Sequence, residues 1–126
     1  MKFIKSISVM VLGFGLSVTS AFASGDVAAG EKVFKKCKAC HVVNKKQNRT
    51  GPHLVNIFGR TAGSLDGYKK YSKAMKNSGI TWDEEKLNSY LKNPKKYIKG
   101  TRMAFVGLKK DTDRANVIAY MKTFSK

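Results

Sequence analysis

Scarcity narrows this chain more than abundance does. Its 126 residues include two cysteines, two histidines, two prolines and one tryptophan, and eight acidic side chains stand against twenty-five basic ones. Two cysteines allow at most one disulfide, so no multi-bridge scaffold holds the fold. A closed zinc site takes four ligands. Outside the stretch Cys37-Lys38-Ala39-Cys40-His41 only His53 remains as a strong soft donor, which argues against zinc. No apolar run reaches the ~20 residues of a spanning helix, and a 42% hydrophobic content is too polar for a multi-span membrane protein. There is no internal repeat and no long low-complexity stretch. The shortage of acids leaves a formal charge of +17, which points to acidic partners.

The first 23 residues read as a leader rather than as part of the domain. Lys2 and Lys5 form a positive start, residues 7–16 are apolar, and Ala21-Phe22-Ala23 fits a signal-peptidase site. Cleavage after Ala23 leaves residues 24–126 as one small domain. An uncleaved anchor is the competing reading, but no flexible linker separates the apolar run from the domain that starts near Asp26. A domain this small buries only roughly 60–70% of its unfolded surface and is marginal unaided.

Both cysteines fall in Cys37-x-x-Cys40-His41. Positions three apart on a helical turn share a face, so two thiols can reach one edge of a flat ligand. The next residue, His41, is then placed to send its imidazole toward the ligand's centre. This C-x-x-C-H spacing is that of covalent c-type haem attachment. A redox dithiol or a short structural disulfide with a bystander histidine also fits the five residues, since an exported dithiol can oxidise.

Along the chain, residues 26–40 carry Val27, Gly30, Phe34 and Cys37 at helical spacing, which predicts a first helix. Gly30 within that face costs about 1 kcal/mol against alanine and makes sense where another helix crosses closely. Residues 42–63 lack periodicity and are punctuated by Asn44, Asn48, Gly51-Pro52, Gly59 and Gly63, so they predict a loop, with Leu54, Val55, Ile57 and Phe58 turned inward. A short helix is expected over 72–78, closed by Gly79. Thr81 and Glu84 have capping-box spacing and open a helix bearing Leu87, Tyr90 and Leu91, ended by Pro94. Residues 94–110 read as irregular. A last helix over 112–124 carries Val117, Ile118, Met121 and Phe124. The expectation is an all-α domain of about four short helices joined by long loops. Loops of that length are usually functional or disordered, and wrapping a cofactor explains them.

The ordered set Asp26-Val27-x-x-Gly30, Cys37-x-x-Cys40-His41, Thr50-Gly51-Pro52, Phe58-Gly59-Arg60, Gly79-Ile80-Thr81-Trp82, Tyr90-Leu91-x-x-Pro94-Lys95-Lys96-Tyr97, Gly100-Thr101-x-Met103 and Ile118-Ala119-Tyr120 resembles the class I c-type cytochromes, in their mitochondrial and small bacterial forms. The match covers nearly all of residues 25–126. The resemblance implies the small cytochrome c fold around one covalently attached haem c and its iron. Cys37 and Cys40 would be the thioether anchors, His41 the proximal ligand and Met103 the distal one. Pro52 would accept the second imidazole N–H, which fixes ring orientation. Arg60, Tyr71 and Trp82 would bond the propionates, and Tyr90 and Thr101 would lie near the Met103 sulfur. Gly30 and Phe34 would cross the last helix at Tyr120. Two positions depart from the pattern. Met75 stands where the mitochondrial type has a network asparagine, and Lys99 replaces a proline common before Gly-Thr-x-Met, which predicts a looser Met103 loop.

Other residues compete for these roles. Met75 and Met121 sit in expected helices and suit core packing, whereas Met103 lies in a loop free to present sulfur. His53 is the alternative distal ligand, though a histidine beside Pro52 better suits a surface or propionate-side place. Trp82, Tyr71 and Tyr90 are core aromatics whose polar atoms need partners, and a propionate is one. Lys35, Lys36, Lys38, Lys95, Lys96, Lys109 and Lys110 adjoin haem-contacting segments and are expected to ring the haem edge, although the surplus charge is spread widely.

Such an iron, filled on both faces, transfers one electron and does little else. The implied protein is a periplasmic, monomeric one-electron carrier rather than an enzyme. It would meet acidic docking faces of membrane redox complexes transiently, between a quinol-oxidising complex and a terminal oxidase, reductase or reaction centre. Nucleic acid is not expected as a partner of an exported protein, nor is stable membrane insertion after cleavage. The alternatives are a haem enzyme whose Met103 detaches, a small subunit of a larger oxidoreductase, and a non-haem basic dithiol protein. Protein isolated from cells able to attach the cofactor should be red and keep its colour through denaturation; a colourless product would rule out the haem reading.

Overall fold

The computed structural model describes residues 24–126 and, before them, only positions 10, 13 and 15, so the expected leader lies outside the described residues. Among the described residues five helical segments occur in order: α1 (Val27–Phe34), α2 (Lys73–Lys76), α3 (Glu84–Lys92), α4 (Pro94–Tyr97) and α5 (Asp111–Lys122). Among the described residues there is no strand, only an antiparallel bridge between Thr61 and Thr81, and no helix is long and apolar enough to cross a membrane.

Helix α1 starts where the Asp26 carboxylate accepts from the Ala29 N–H at 2.9 Å, one of the donors a helix start leaves unpaired. It ends at Phe34, six residues earlier than the periodicity predicts. From Lys35 the bonds tighten to three-residue turns, with Cys37 N–H on the Phe34 carbonyl (2.8 Å) and Cys40 N–H on the Cys37 carbonyl (3.1 Å). Four-residue bonds persist beside them, Lys38 N–H on the Phe34 carbonyl at 3.2 Å and His41 N–H on the Cys37 carbonyl at 2.9 Å, so Cys37 and Cys40 stay about one turn apart.

At the entry to α3 the cap is Asp83 rather than Thr81. The Asp83 carboxylate accepts from the Lys86 N–H at 2.8 Å, and Glu84 and Glu85 occupy the first turn, where negative charge suits the helix dipole. Thr81 is unavailable because its stretch pairs with residues 59–62: Ala62 N–H meets the Ile80 carbonyl at 2.7 Å and Trp82 N–H the Arg60 carbonyl at 2.9 Å. Pro94 does end α3, but it also begins α4, with Asn93 accepting from the Lys96 N–H at 3.2 Å. Asn-Pro is thus a cap followed by the proline favoured at a first helical position, and residues 94–97 are helical rather than irregular. Ser72 caps α2, which spans four residues rather than seven. Helix α5 begins one residue before its expected start and ends two before its expected end.

The core joins Phe34, Val43, Ile57, Trp82, Leu87, Tyr90, Ile98, Leu108, Val117, Ile118 and Met121. At its edge α1 crosses α5 so closely that a Cβ on Gly30 would overlap the Asn116 carbonyl and lie 2.8 Å from the Tyr120 Cβ. Beside it the Phe34 and Tyr120 rings pack 5.4 Å apart, as expected. Alanine at position 30 would gain about 1 kcal/mol of helix propensity, but overpacking against backbone costs about 1–3 kcal/mol or more. Gly30→Ala should therefore lower the stability of the holoprotein by up to about 2 kcal/mol net in urea unfolding, and a stabilised variant would contradict this crossing.

Candidate haem site

The Cys37–His41 turn is held from two sides. His41 N–H bonds the Cys37 carbonyl at 2.9 Å, and the Cys40 carbonyl accepts from Gly51 N–H at 2.9 Å, which brings the Gly51-Pro52 loop over the imidazole. His41 Nδ1 lies 2.6 Å from the Pro52 carbonyl. A carbonyl only accepts, so Nδ1 carries the proton and the lone pair of the neutral ring is on Nε2. Burial holds the His41 pKa below its ordinary value, against the Pro52 bond and with help from Arg60. A metal ligand has to be neutral in this way. Gly51 is needed for contact: a Cβ there would overlap the ring, 2.8 Å from Nδ1 and 2.9 Å from Nε2.

No disulfide joins Cys37 and Cys40. Burial, with Cys40 adding and Lys36 opposing, pushes the Cys37 thiol up to about 11, so at neutral pH it is a protonated, apolar-seated sulfur. Cys37 and Met103 both pack against the one core cluster, as do Leu54, Phe58, Met75 and Phe105. The donor set therefore fits an iron porphyrin: two thiols three residues apart, one neutral imidazole with a free Nε2, one thioether and an apolar wall. Among the described residues no three of His, Cys, Asp and Glu come together as a metal cluster.

The Tyr90 and Thr101 hydroxyls share a hydrogen bond of 2.8 Å, and Thr101 Oγ1 lies 3.4 Å from the Met103 N–H. Trp82 packs on Tyr90 with ring centroids 5.1 Å apart. Arg60 donates to the His53 and Val55 carbonyls at 2.8 and 2.6 Å and stands close enough to Tyr71 that each favours the other's charged form. Burial nonetheless pushes the Tyr71 and Tyr90 phenols up, so both remain hydrogen-bond donors. His53 is 7% exposed and not a surface residue. Its N–H donates to Asn48 Oδ1 at 2.9 Å, and its buried Nδ1 has no protein partner. All seven named lysines are exposed, but the Lys109 ammonium folds back on the Lys92 and Val106 carbonyls at 3.2 and 3.4 Å.

Three contributors escaped the sequence reading. Tyr68 donates to the Thr50 carbonyl at 2.5 Å, and Arg102 donates to the Lys70 and Tyr71 carbonyls at 3.3 and 3.4 Å. Neither carries a local signal, because the partners lie far off in sequence. Arg114 is buried among Asn88, Asp111 and two loop carbonyls. Its signal was present, since 114, 117, 118 and 121 form one helical stripe.

Comparison with known proteins agrees with this geometry. The family model described as Cytochrome c matches residues 27–125. The cytochrome c2 of Rhodomicrobium vannielii is 50% identical over 121 residues, covering 94% of this chain and 96% of that one. The cytochrome c-554 of Methylosinus trichosporium is 47% identical over 125 residues, covering 95% and 94%. The solved structure of cytochrome cH from Methylobacterium extorquens superposes with a TM-score of 0.73 at 47% identity, covering 79% of this chain and 99% of that one. A helical fold built around a C-x-x-C-H turn defines a haem-bearing class, and the chain belongs to the cytochrome c family, as a class I c-type cytochrome. Its cofactor is covalently bound haem c with its iron, and it is an electron carrier rather than an enzyme.

Gly51→Ala tests the cradle. A methyl at that position displaces the His41 ring, so stability should fall by about 1–3 kcal/mol and the Soret spectrum should shift; unchanged melting and an unchanged spectrum would place the imidazole elsewhere.

Proposed function

We propose that this chain is a periplasmic one-electron carrier in which His41 and Met103 would hold the haem iron, exported by a leader cleaved after Ala23. The observation that carries the reading is the 2.6 Å contact between His41 Nδ1 and the Pro52 carbonyl, which leaves a single ring nitrogen for iron. When bound, haem iron supplies a one-electron couple whose potential follows its axial ligands and surroundings.

The residues divide the remaining tasks. Cys37 and Cys40 would hold the macrocycle through two thioether bonds, and Pro52 and Gly51 hold the His41 ring. Met103 would offer a thioether, a donor that favours the reduced state and suits electron transfer rather than substrate binding. Leu54, Phe58 and Phe105, partly buried against the core, exclude water and raise the potential further. Arg60, Tyr71 and Trp82 take the propionates, and the Tyr90–Thr101 bond steadies the start of the Met103 loop. Lys35, Lys36, Lys38, Lys95, Lys96, Lys109 and Lys110 attract the acidic faces of a quinol-oxidising complex and of a terminal oxidase, reductase or reaction centre. Attraction of that kind raises encounter rates and weakens with salt, which suits a monomer that loads an electron and leaves.

Met103→Ala decides the ligand assignment. The potential should drop by more than about 59 mV, a tenfold change in a one-electron equilibrium, the ferric iron–sulfur charge-transfer band should vanish, and cyanide should bind quickly. An unchanged potential would remove Met103 from the iron.

A further inference from the structure

The largest fully buried side chain among the described residues is charged: Arg114 on α5, 2% exposed. A buried guanidinium has to be hydrogen-bonded, because it cannot lose its proton. Four bonds meet that need. Nε donates to Asn88 Oδ1 at 2.8 Å, Nη1 to the Leu108 carbonyl at 2.6 Å and the Lys109 carbonyl at 3.1 Å, and Nη2 to the Asp111 carboxylate. The Asp111 side chain is 90% exposed, so water screens its charge. The neutral acceptors therefore carry most of the burden, and two of them are the rear end of the loop bearing Met103.

That end is seated on α3 by further contacts. Leu108 N–H meets the Leu91 carbonyl at 2.7 Å. Gly107, at φ +116°, lies so close to the end of α3 that a Cβ would overlap the Lys92 carbonyl. The front end is anchored separately by the Tyr90–Thr101 and Arg102 bonds. Between the anchors the backbone has little of its own: Phe105 N–H on the Met103 carbonyl at 3.0 Å, and the long contact of Met103 N–H with Thr101. Met103 hangs between two clamps. Lifting the loop from the rear strips a buried cation of two acceptors, a cost that most loops on a protein surface do not face.

We propose that Arg114 is a positioning residue for the sulfur ligand: through the Leu108 and Lys109 carbonyls it holds the rear of the Met103 loop and sets how often that loop opens. The inference rests on Met103 as the distal ligand, but its test does not depend on that alone.

The experiment uses ferric holoprotein and imidazole, which takes the sixth position only when Met103 is off. Arg114→Leu and Arg114→Lys are compared with Val117→Ala, a core truncation one turn along the same helix at a residue 1% exposed. The three are also followed by native-state amide exchange. At equal loss of global stability, the Arg114 variants should bind imidazole at least about tenfold faster than Val117→Ala, equivalent to about 1.4 kcal/mol, and their faster exchange should be confined to residues 103–109. Arg114→Lys keeps the charge and supplies the comparison if Arg114→Leu yields no holoprotein. Imidazole entry no faster than in Val117→Ala, or exchange raised equally across α1 and α5, would overturn the clamp. A wild-type protein without an iron–sulfur band would overturn the ligand assignment instead, and local exchange would still decide whether Arg114 holds the loop.

Discussion

Where α1 meets α5 there is no space for a side chain at position 30, and that close approach orients both the C-x-x-C-H turn and the support of the Met103 loop. Helix α1 runs directly into the turn that carries Cys37, Cys40 and His41. Helix α5 carries Arg114, which grips the far end of the Met103 loop. The angle and separation of two helices thus govern where an imidazole and a thioether stand relative to each other. Asp26 N–H on Asn116 Oδ1 at 2.8 Å and the Phe34–Tyr120 ring contact reinforce the same crossing. A packed seam of this kind is not continuously adjustable, because interiors are close-packed.

From that seam the site is assembled mostly by backbone carbonyls rather than by side-chain pairs. Pro52 orients His41, Leu108 and Lys109 receive Arg114, His53 and Val55 receive Arg60, and Thr50 receives Tyr68. Loops between helices leave many carbonyls unpaired, and a buried polar group without a partner is costly. Long polar side chains therefore serve two purposes at once: they satisfy the loops and they fix the geometry around the porphyrin. A redox centre gains from this, since ligands held in one arrangement change little between oxidation states.

The parts of the fold legible in the sequence were those written in local chemistry. The C-x-x-C-H turn, the inward Leu87 and Tyr90, the α5 stripe and the need for a small residue at 30 could all be read directly. The errors arose where distant pairing took over. Thr81 has the right spacing for a cap, but its backbone is committed to residues 60–62, so Asp83 caps two residues later. Asn93-Pro94 was read only as an end, although the same pair begins α4. Of the two places that suit His53, the surface is excluded by its burial, because Asn48 and Arg60 bond its backbone and no spacing rule reports such bonds. Arg114 broke an apolar stripe, and a charged residue in that position is itself a sign that polar partners await it. Propionate-side places for Arg60, Tyr71 and Trp82 are implied by family resemblance alone and by no spacing rule.

Lys109 separates two properties that a basic rim is usually taken to confer together. Its ammonium is turned back onto the Lys92 and Val106 carbonyls, next to a valine that is itself 81% exposed. The long-range field of the protein hardly registers where one ammonium points, because it sums over all charges. Short-range pairing does register it, since a partner carboxylate has to compete with two carbonyls already in place. On the docking reading, Lys109 contributes to how frequently partners collide and little to how long they stay together. The exposed methyls of Val106 then form an oily spot within a cationic field, and residence time there depends on fit more than on ionic strength.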